Sequence, residues 1–250
     1  MKTLVTGLNG TVAPVLARAL RAAGHDVAAW DRARVSIEDS TAIRGFIARE
    51  RPDAFCHLAA GSPAWAEESA RTCAELGIRF LYTSSVSVFS AAQAGPFPVT
   101  AVPEPDDDYG RYKLDCERRV RAAHPEARVA RLGWQIGTGF TGNHMGAFLE
   151  RVAREQGRIE ASTRWFPACS FLEDTARALV QILWELPAGL YQVDGNPGLD
   201  FHAIASGLSR FHGHRWPVVP VAGLVQNHRM LDDRVATGSI MARLPAAPAQ

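Results

Sequence analysis

Short apolar segments alternate with helix-like segments along the first half of the chain, and this alternation constrains the fold more than any other feature. The patterns predict strands at residues 4–6, 26–30, 53–57, 78–83 and 127–132. They predict helices at residues 12–23, 40–50, 64–76 and 109–123. Strands that are separated by helices form βαβ units and pair in parallel. We therefore predict an α/β fold with a Rossmann-type, doubly wound parallel sheet.

The pattern becomes less regular after Gly133. Helices are predicted at residues 145–156, 172–186 and 201–211, with a strand at 189–193. We interpret residues 1–133 as the Rossmann core and residues 134–250 as a smaller substrate-binding portion packed on the same domain. This C-terminal cap is expected at the carboxyl edge of the sheet, where open α/β folds bind ligands. The Pro/Ala-rich tail at 244–250 is predicted to be frayed.

Composition excludes several classes of partner. The net charge is +1 over 250 residues, and no concentrated basic face predicts nucleic-acid binding. No apolar run reaches the ~18 residues of a membrane span, and the early first strand leaves no room for a signal peptide. We expect a cytoplasmic protein with a small-molecule substrate, and a homodimer is left open. No metal site is predicted, because the cysteines and the His212-Gly213-His214 segment lack ligand spacing or acidic partners.

A glycine turn follows the first predicted strand and opens the first helix. Gly7 and Gly10 allow the backbone to turn tightly and to approach a pyrophosphate, whose charge is met by the helix N-terminus. Ala13 takes the third small position, where the helix packs closely on the sheet. The turn predicts dinucleotide binding by the following residues: Gly7, Asn9, Gly10, Thr11 and Val12.

Two charged residues at the end of the second strand concern the choice of dinucleotide. Asp31 is placed to accept hydrogen bonds from a ribose 2′-hydroxyl and to repel a 2′-phosphate. Arg32 follows directly and is able to receive that phosphate instead. We favour NAD(H) as the cofactor, with NADP(H) as the alternative.

Three residues form the candidate catalytic group. Tyr109 and Lys113 are four residues apart in a predicted helix and therefore lie on one face. A nearby cation lowers the pKa of a phenol from about 10, which suits tyrosine for proton transfer. Tyr112 adjoins Lys113 and is expected to face away from this pair. Ser85 ends the fourth strand, where its hydroxyl can bond a substrate carbonyl oxygen while Tyr109 protonates it.

Together these motifs resemble the extended short-chain dehydrogenase/reductase superfamily and, within it, the dTDP-4-dehydrorhamnose reductase family. The glycine pattern, Ser85 and the Tyr109-x-x-x-Lys113 spacing carry the resemblance to the superfamily. Similar segments surround them at residues 51–53, 57–60, 130–134, 171–176 and 189–193. The resemblance covers about residues 1 to 212.

The resemblance implies reduction of a 4-keto sugar nucleotide by hydride from a nicotinamide. It implies that Ser85 orients the carbonyl and that Tyr109 is the general acid. Lys113 would lower the pKa of Tyr109 and hold the nicotinamide ribose. Trp134 would line the substrate pocket, with a core or surface aromatic as the alternative. Leu58, Ala59 and Ala60 after the third strand would contact the cofactor, as would Tyr109 and Lys113.

The chain also departs from the family pattern. Ser36 replaces an acidic residue near the adenine, and residues 61–76 are short and lack an asparagine found in the superfamily. These departures leave the sugar and its nucleotide open. The alternatives are an NAD-dependent nucleotide-sugar epimerase that uses the same three residues, and a non-catalytic NAD(P) sensor. A 4,6-dehydratase is disfavoured, because Val86 and Ser87 follow Ser85 where such enzymes need an acidic pair.

Overall fold

The computed structural model describes residues 1–245. In this part of the chain the helices are α1 (Ala13–Ala22), α2 (Ser40–Glu50), α3 (Pro63–Glu75), α4 (Asp108–Ala123), α5 (Met145–Gln156), α6 (Leu172–Trp184) and α7 (Phe201–Phe211). The strands are β1 (Lys2–Val5), β2 (Asp26–Ala29), β3 (Ala54–His57), β4 (Arg79–Ser85), β5 (Phe97–Pro98), β6 (Arg128–Leu132), β7 (Trp134–Ile136), β8 (Ile159–Ser162), β9 (Trp165–Phe166), β10 (Cys169–Phe171), β11 (Gly189–Val193), β12 (Val218–Val221), β13 (Gln226–Asn227) and β14 (Met230–Leu231). None of the helices within residues 1–245 is long and apolar enough to cross a membrane.

Six parallel strands form the central sheet, in the order β2-β1-β3-β4-β6-β11. The chain passes from β1 to β2 on one side and then crosses to β3 on the other side. The winding direction therefore reverses between β1 and β3, which opens a crevice at the carboxyl edge. The glycine turn follows β1 and residues 58–60 follow β3, so both segments border this crevice.

Helices cover both faces of the sheet, as the doubly wound prediction requires. Helices α1 and α6 pack on one face, and α2, α3 and α4 pack on the other. Successive strand residues face opposite layers. Phe55 of β3 packs with α2 and α3, for example, whereas Cys56 packs with α1 and α6. The predicted α/β fold is confirmed.

The residues after Gly133 contribute partly to a separate apolar cluster and partly to the central sheet and its helices. Strands β7, β8 and β9 form short parallel pairs with β10, β12 and β13 around a third apolar cluster that includes Ile136, Leu149 and Leu208. Helix α6 and strand β11, by contrast, complete the central layers, because α6 packs on α1 and β11 pairs with β6. The division of the chain after residue 133 stays a prediction, since the segments beyond it contribute to both parts.

Element boundaries differ from the predictions where tertiary pairing decides them. Strand β4 continues to Ser85, because Ser84 and Ser85 pair with Arg131 and Leu132 of β6. The short strands of two to four residues in the C-terminal part give no alternating pattern to detect. Of the tail that we predict to be frayed, Leu244 packs against the third cluster, and residues 246–250 lie outside the described residues.

Candidate active site

The glycine turn brings two loops of the crevice into close contact. Gly7 has a φ of +81°, in the left-handed region that favours glycine. A Cβ at Gly7 would lie 3.1 Å from the amide nitrogen of Ala59 in the loop after β3. The amide of Gly10 donates to the carbonyl of Gly7 at 2.8 Å and closes the turn. The turn therefore has the open backbone surface that a pyrophosphate needs.

Thr6 fastens this turn to the neighbouring loop. Its Oγ1 accepts hydrogen bonds from the amides of Leu58, at 2.9 Å, and Ala59, at 3.0 Å. Thr6 is buried, so these bonds are shielded from water. The sequence analysis missed this role, although a threonine between an apolar strand and a glycine turn was the available signal.

The N-terminus of α1 opens into the crevice without a side-chain cap. Val12 occupies the cap position and makes no capping hydrogen bond, and no acidic residue lies in the first turn. Helices α2, α3, α4, α5 and α7 are each capped by a side chain. Because free N–H groups and the helix dipole attract anions, this end of α1 suits a phosphate group.

A cavity of about 1150 Å³ connects the glycine turn with the candidate catalytic group. Most predicted site residues line it: Gly7, Asn9, Gly10, Thr11, Val12, Leu58, Ala60, Ser85, Tyr109, Lys113 and Trp134. Ala59, Asp31 and Arg32 are not among the described residues that line it. Ala59 lies beneath Gly7, and the other two follow β2, the edge strand of the sheet.

The charged groups of Asp31 and Arg32 differ in the contacts that they already make with other residues of the protein. A carboxylate oxygen of Asp31 accepts the amide of Ala33 at 2.9 Å. The guanidinium of Arg32 donates to the carbonyl of Ala60 and lies 5.0 Å from the ring centroid of Trp65. Arg32 thus bridges the loops after β2 and β3, whereas the second carboxylate oxygen of Asp31 accepts no hydrogen bond from the described residues.

Ser85 is oriented by the residue two positions further on. Its Oγ accepts the backbone amide of Ser87 at 3.1 Å, and its hydroxyl donates to Oγ of Ser87 at 3.1 Å. The Ser85 oxygen already accepts the amide of Ser87. Its hydroxyl proton, however, can rotate away from Ser87 and donate to a ligand. Ser87 also lines the cavity, and sequence reasoning missed it as a site residue.

Tyr109 lies at the start of α4, where the helix approaches the segment after β4. Asp107 caps the helix by accepting the amide of Gly110 at 2.6 Å. A Cβ at Gly110 would lie only 2.0 Å from the carbonyl oxygen of Ser87. Glycine at this position therefore lets α4 carry Tyr109 close to Ser85. The detectable signal was a glycine in the first turn of a helix, where it costs about 1 kcal/mol relative to alanine.

Lys113 is buried one helical turn from Tyr109. Its Nζ donates to the carbonyl oxygen of Thr83 at 2.9 Å and to the hydroxyl of Tyr82 at 3.4 Å. Burial lowers the pKa of Lys113 to about 8, although Cys116 and Glu117 act in the opposite direction. The ammonium is therefore held in place by β4, with its charge only weakly hydrated.

The pKa of Tyr109 is opposite to the sequence-based expectation. Burial raises it above the ordinary value, and the hydroxyl of Ser85 acts in the lowering direction. The Lys113 ammonium lies 5.8 Å from the ring centroid of Tyr109 and is directed to Thr83. The expected lowering of this pKa by Lys113 is wrong for this structure: partial burial of Tyr109, which is 51% exposed, and the carboxylate of Asp107 raise the pKa, and Lys113 is not among the groups that shift it. Tyr109 therefore carries its proton at neutral pH.

Tyr112 does not face away from the pair, which corrects a second expectation. Its ring centroid lies 5.6 Å from Nζ of Lys113 and 6.3 Å from the ring of Tyr109. Its hydroxyl accepts the amide of Gly61 at 3.1 Å. Adjacent helix residues diverge by about 100°, but the long lysine chain bends back over the ring of its neighbour.

Trp134 occupies the far wall of the cavity. It is half-buried and lies in an aromatic group with Phe148, Trp165 and Phe201, at centroid distances of 5.2, 6.1 and 6.0 Å. It therefore belongs to the core of the C-terminal part and also lines the cavity. The sequence left open whether Trp134 lines the pocket or is a core aromatic residue, and these two interpretations are compatible.

The described residues contain no cluster of three or more metal-ligating side chains. His212 of the His-Gly-His segment lies among aromatic rings, 4.8 Å from Phe140 and 5.6 Å from Trp216 between centroids. An aromatic environment of this kind explains the histidine as a packing residue.

Fold and site first define a class: a Rossmann-type α/β protein in which a glycine turn and a Ser/Tyr/Lys group share one cavity. The model of a family described as RmlD substrate binding domain matches residues 1–208. The chain belongs to this family. The resemblance to the dTDP-4-dehydrorhamnose reductase family and to the extended short-chain fold is thereby confirmed.

Individual relatives agree with this assignment. The dTDP-4-dehydrorhamnose reductase of Mycolicibacterium smegmatis is 30% identical over 230 residues, which cover 84% of this chain and 66% of the relative. The chain thus spans just under two thirds of that relative, and 65% of the one from Mycobacterium tuberculosis.

Two solved structures share the fold. A dTDP-4-dehydrorhamnose reductase from Bacillus anthracis, solved in complex with NADP, has a TM-score of 0.79 and 18% identity, covering 92% of this chain and 90% of its own. A UDP-glucose 4-epimerase from Thermotoga maritima has a TM-score of 0.74 and 18% identity, covering 94% and 91%. At this identity the similarity establishes the Rossmann architecture.

Proposed function

We propose that the protein is an NAD(P)H-dependent reductase that reduces the keto group of a nucleotide-linked 4-keto sugar. Its main support is that Ser85, Tyr109 and Lys113 line one cavity with the glycine turn. The relatives named dTDP-4-dehydrorhamnose reductase support the same substrate class.

The residues present fit a dinucleotide. A Cβ at Gly7 would fill the space against Ala59, and the uncapped end of α1 leaves free amides for a pyrophosphate. The buried ammonium of Lys113 lines the same cavity and would hold a ribose hydroxyl of the cofactor. When bound, the reduced nicotinamide supplies the hydride.

The protein's own residues supply orientation and the proton. The Ser85 hydroxyl, now bonded to Ser87, exchanges that partner for the substrate carbonyl oxygen. Tyr109 donates to the same oxygen and transfers its proton as negative charge develops there. Lys113 stabilises the phenolate that results, because its buried ammonium lies 5.8 Å from the centroid of the Tyr109 ring and attracts the anion. The raised pKa of Tyr109 keeps the acid protonated before the reaction.

We further infer that NADH binds more tightly than NADPH. The carboxylate of Asp31 repels a 2′-phosphate, and the Arg32 guanidinium is engaged by Ala60 and Trp65. Fluorescence titration with both cofactors tests this inference, and Asp31→Asn should narrow the difference. Tighter binding of NADPH by the unaltered protein would mean that Arg32 leaves its partners and governs the pocket.

The activity is tested with purified protein, dTDP-4-dehydrorhamnose and either reduced cofactor. We expect stoichiometric loss of reduced-nicotinamide absorbance and formation of the corresponding alcohol, with Tyr109→Phe as the inactive variant. Tyr191→Phe is the matched control, because its hydroxyl donates to the carbonyl of Pro187 at 2.6 Å, on the loop before β11. Sugar isomerisation without net cofactor consumption would identify an epimerase instead, and no turnover despite cofactor binding would identify a sensor.

A further inference from the structure

A buried ion pair joins α4 to β6 behind the catalytic group. Nε of Arg131 donates to Oε1 of Glu117 at 2.9 Å, and Nη2 donates to Oε2 at 2.8 Å. Their side chains are only 2% and 4% exposed. Among the ion pairs within residues 1–245, this is the one in which both partners are almost fully buried.

Stability does not explain this pair. Removing two charges from water is costly, and replacing a buried pair by apolar side chains of similar volume is often neutral or stabilising. Here the cost is increased, because Nη1 of Arg131 is buried without a hydrogen-bond partner. What a bidentate pair does supply is a defined geometry between the two elements that carry it.

The two elements are those that set the catalytic geometry. Glu117 lies on the face of α4 that carries Tyr109 and Lys113, at successive intervals of four residues. Arg131 belongs to β6, where it pairs with Ser84, directly before Ser85. Its guanidinium also lies 5.1 Å from the ring centroid of Phe89, in the segment that follows Ser85. The pair therefore links the helix with the acid to the strand edge with the serine.

Glu117 also adds charge beside Lys113. The titratable groups that face Lys113 come from β3, β4, β6 and α4: His57, Tyr82, Tyr109, Tyr112, Cys116, Glu117 and, through Glu117, Arg131. Burial lowers the pKa of His57 to about 3 and raises those of the tyrosines and Cys116, so these groups are neutral at pH 7. Cys116 and, less strongly, Glu117 act to raise the pKa of Lys113. Because Cys116 is a thiol at pH 7, the carboxylate of Glu117, paired with Arg131, is the negative charge that acts on the ammonium at that pH.

We propose that Glu117 and Arg131 are positioning residues for the catalytic group: their pair fixes α4 against β6 so that Tyr109 lies beside Ser85, and it holds the carboxylate of Glu117 one helical turn from Lys113. This inference rests on the proposed function for its catalytic half. Its electrostatic half concerns the cofactor-free protein and does not require turnover.

The electrostatic half is directly measurable, because the chain has only two lysines, Lys2 and Lys113. Lysine isotopically labelled at Cε gives two side-chain NMR signals whose titration reports each pKa separately. The test variant is Glu117→Leu/Arg131→Met, which replaces the pair by apolar side chains of similar volume and is expected to fold. The matched control is Asp115→Leu/Arg119→Met, which removes an exposed pair of 3.0 Å on the same helix, together with the exposed contact of Arg119 with Glu67 of α3 at 3.1 Å.

In Glu117→Gln, which removes the negative charge and keeps Arg131, we expect the pKa of Lys113 to fall. In the test variant, which removes both charges of the pair, we expect a smaller fall in this pKa. Because less of Lys113 is then in the ammonium form near pH 8, we expect turnover at saturating substrate to fall at that pH. The control should leave the titration and turnover unchanged. Thermal unfolding shows whether the test variant is folded, and single Glu117→Gln provides a second, charge-only comparison.

The inference is overturned if the folded test variant keeps both the Lys113 titration and the turnover of the unaltered protein. The same holds if Glu117→Gln leaves the Lys113 titration unchanged. If the unaltered protein itself consumes no reduced cofactor, the proposed function fails, while the titration still decides whether Glu117 controls Lys113.

Discussion

Replacing Gly110 by alanine tests whether the close approach of α4 to the segment after β4 creates the active site. The added Cβ would lie 2.0 Å from the carbonyl oxygen of Ser87 and 2.8 Å from Cβ of Pro105. Ser87 presents a backbone atom, so no side-chain rotation relieves the contact. Real Cβ atoms essentially never show contacts below 3.0 Å, so the two segments must separate by about 1 Å.

The magnitude follows from two opposing effects. Overpacking of this kind costs about 1–3 kcal/mol, whereas alanine in a helix gains about 1 kcal/mol over glycine. The net loss of unfolding free energy is therefore modest, about 0–2 kcal/mol. The catalytic loss should be much larger, because a displacement of about 1 Å in a catalytic site can cost ~10²-fold in rate. Tyr109 moves with the first turn of α4, away from Ser85.

The measurements are turnover with saturating substrate, NADH affinity by fluorescence, and thermal unfolding. The matched control is Gly45→Ala in α2, where a Cβ would meet nothing within 4 Å. Both variants replace a helical glycine by alanine, and only Gly110→Ala introduces a clash. We expect Gly45→Ala to be fully active and slightly more stable. Full activity in Gly110→Ala, with normal folding, would refute the role of this contact in placing Tyr109.

Three other outcomes follow from the site. Tyr109→Phe should lower turnover by ~10²–10⁴-fold with NADH still bound, while Tyr191→Phe stays active; equal losses would place the acid elsewhere. Burial lowers the pKa of Lys113 to about 8, so its ammonium form is present below that pH and kcat/KM should fall as the pH rises through this value. Lys113→Met should remove this pH dependence along with most turnover. It should also weaken NADH binding. Trp134→Ala should raise the KM for substrate and leave NADH affinity nearly unchanged, which a variant with normal KM or weakened NADH binding would contradict.

The structure also changes the choice of control for the tyrosine variants. Tyr112 was expected to face away, but its hydroxyl holds the amide of Gly61 and its ring lies beside Lys113. Tyr112→Phe therefore disturbs the loop after β3 and is not neutral. Tyr191, on the outer strand β11, is the cleaner comparison, because its hydroxyl bonds only the carbonyl of Pro187 in the loop before β11 and the residue does not line the cavity.

Local sequence patterns determine much of this protein. Apolar periodicity predicts the order of helices and strands, since each element must bury one face or stripe. The glycine turn is readable because few residues other than glycine adopt the φ of +81° at Gly7, and because a Cβ at Gly10 would lie 3.1 Å from the carbonyl oxygen of Gly7. The four-residue interval between Tyr109 and Lys113 places both on one face of any helix they form. These features depend on neighbours within a few positions along the chain.

Only the tertiary structure decides which of these residues meet and with what charge. Ser87 and Gly110 are 23 positions apart, and their contact exists because β4 and α4 pack side by side. The pKa of Tyr109 is raised and not lowered, because burial depends on everything packed around the phenol. The pairing of Glu117 with Arg131 likewise requires α4 to lie over β6. Contacts and desolvation are sums over residues that are distant in sequence, and no local pattern contains them.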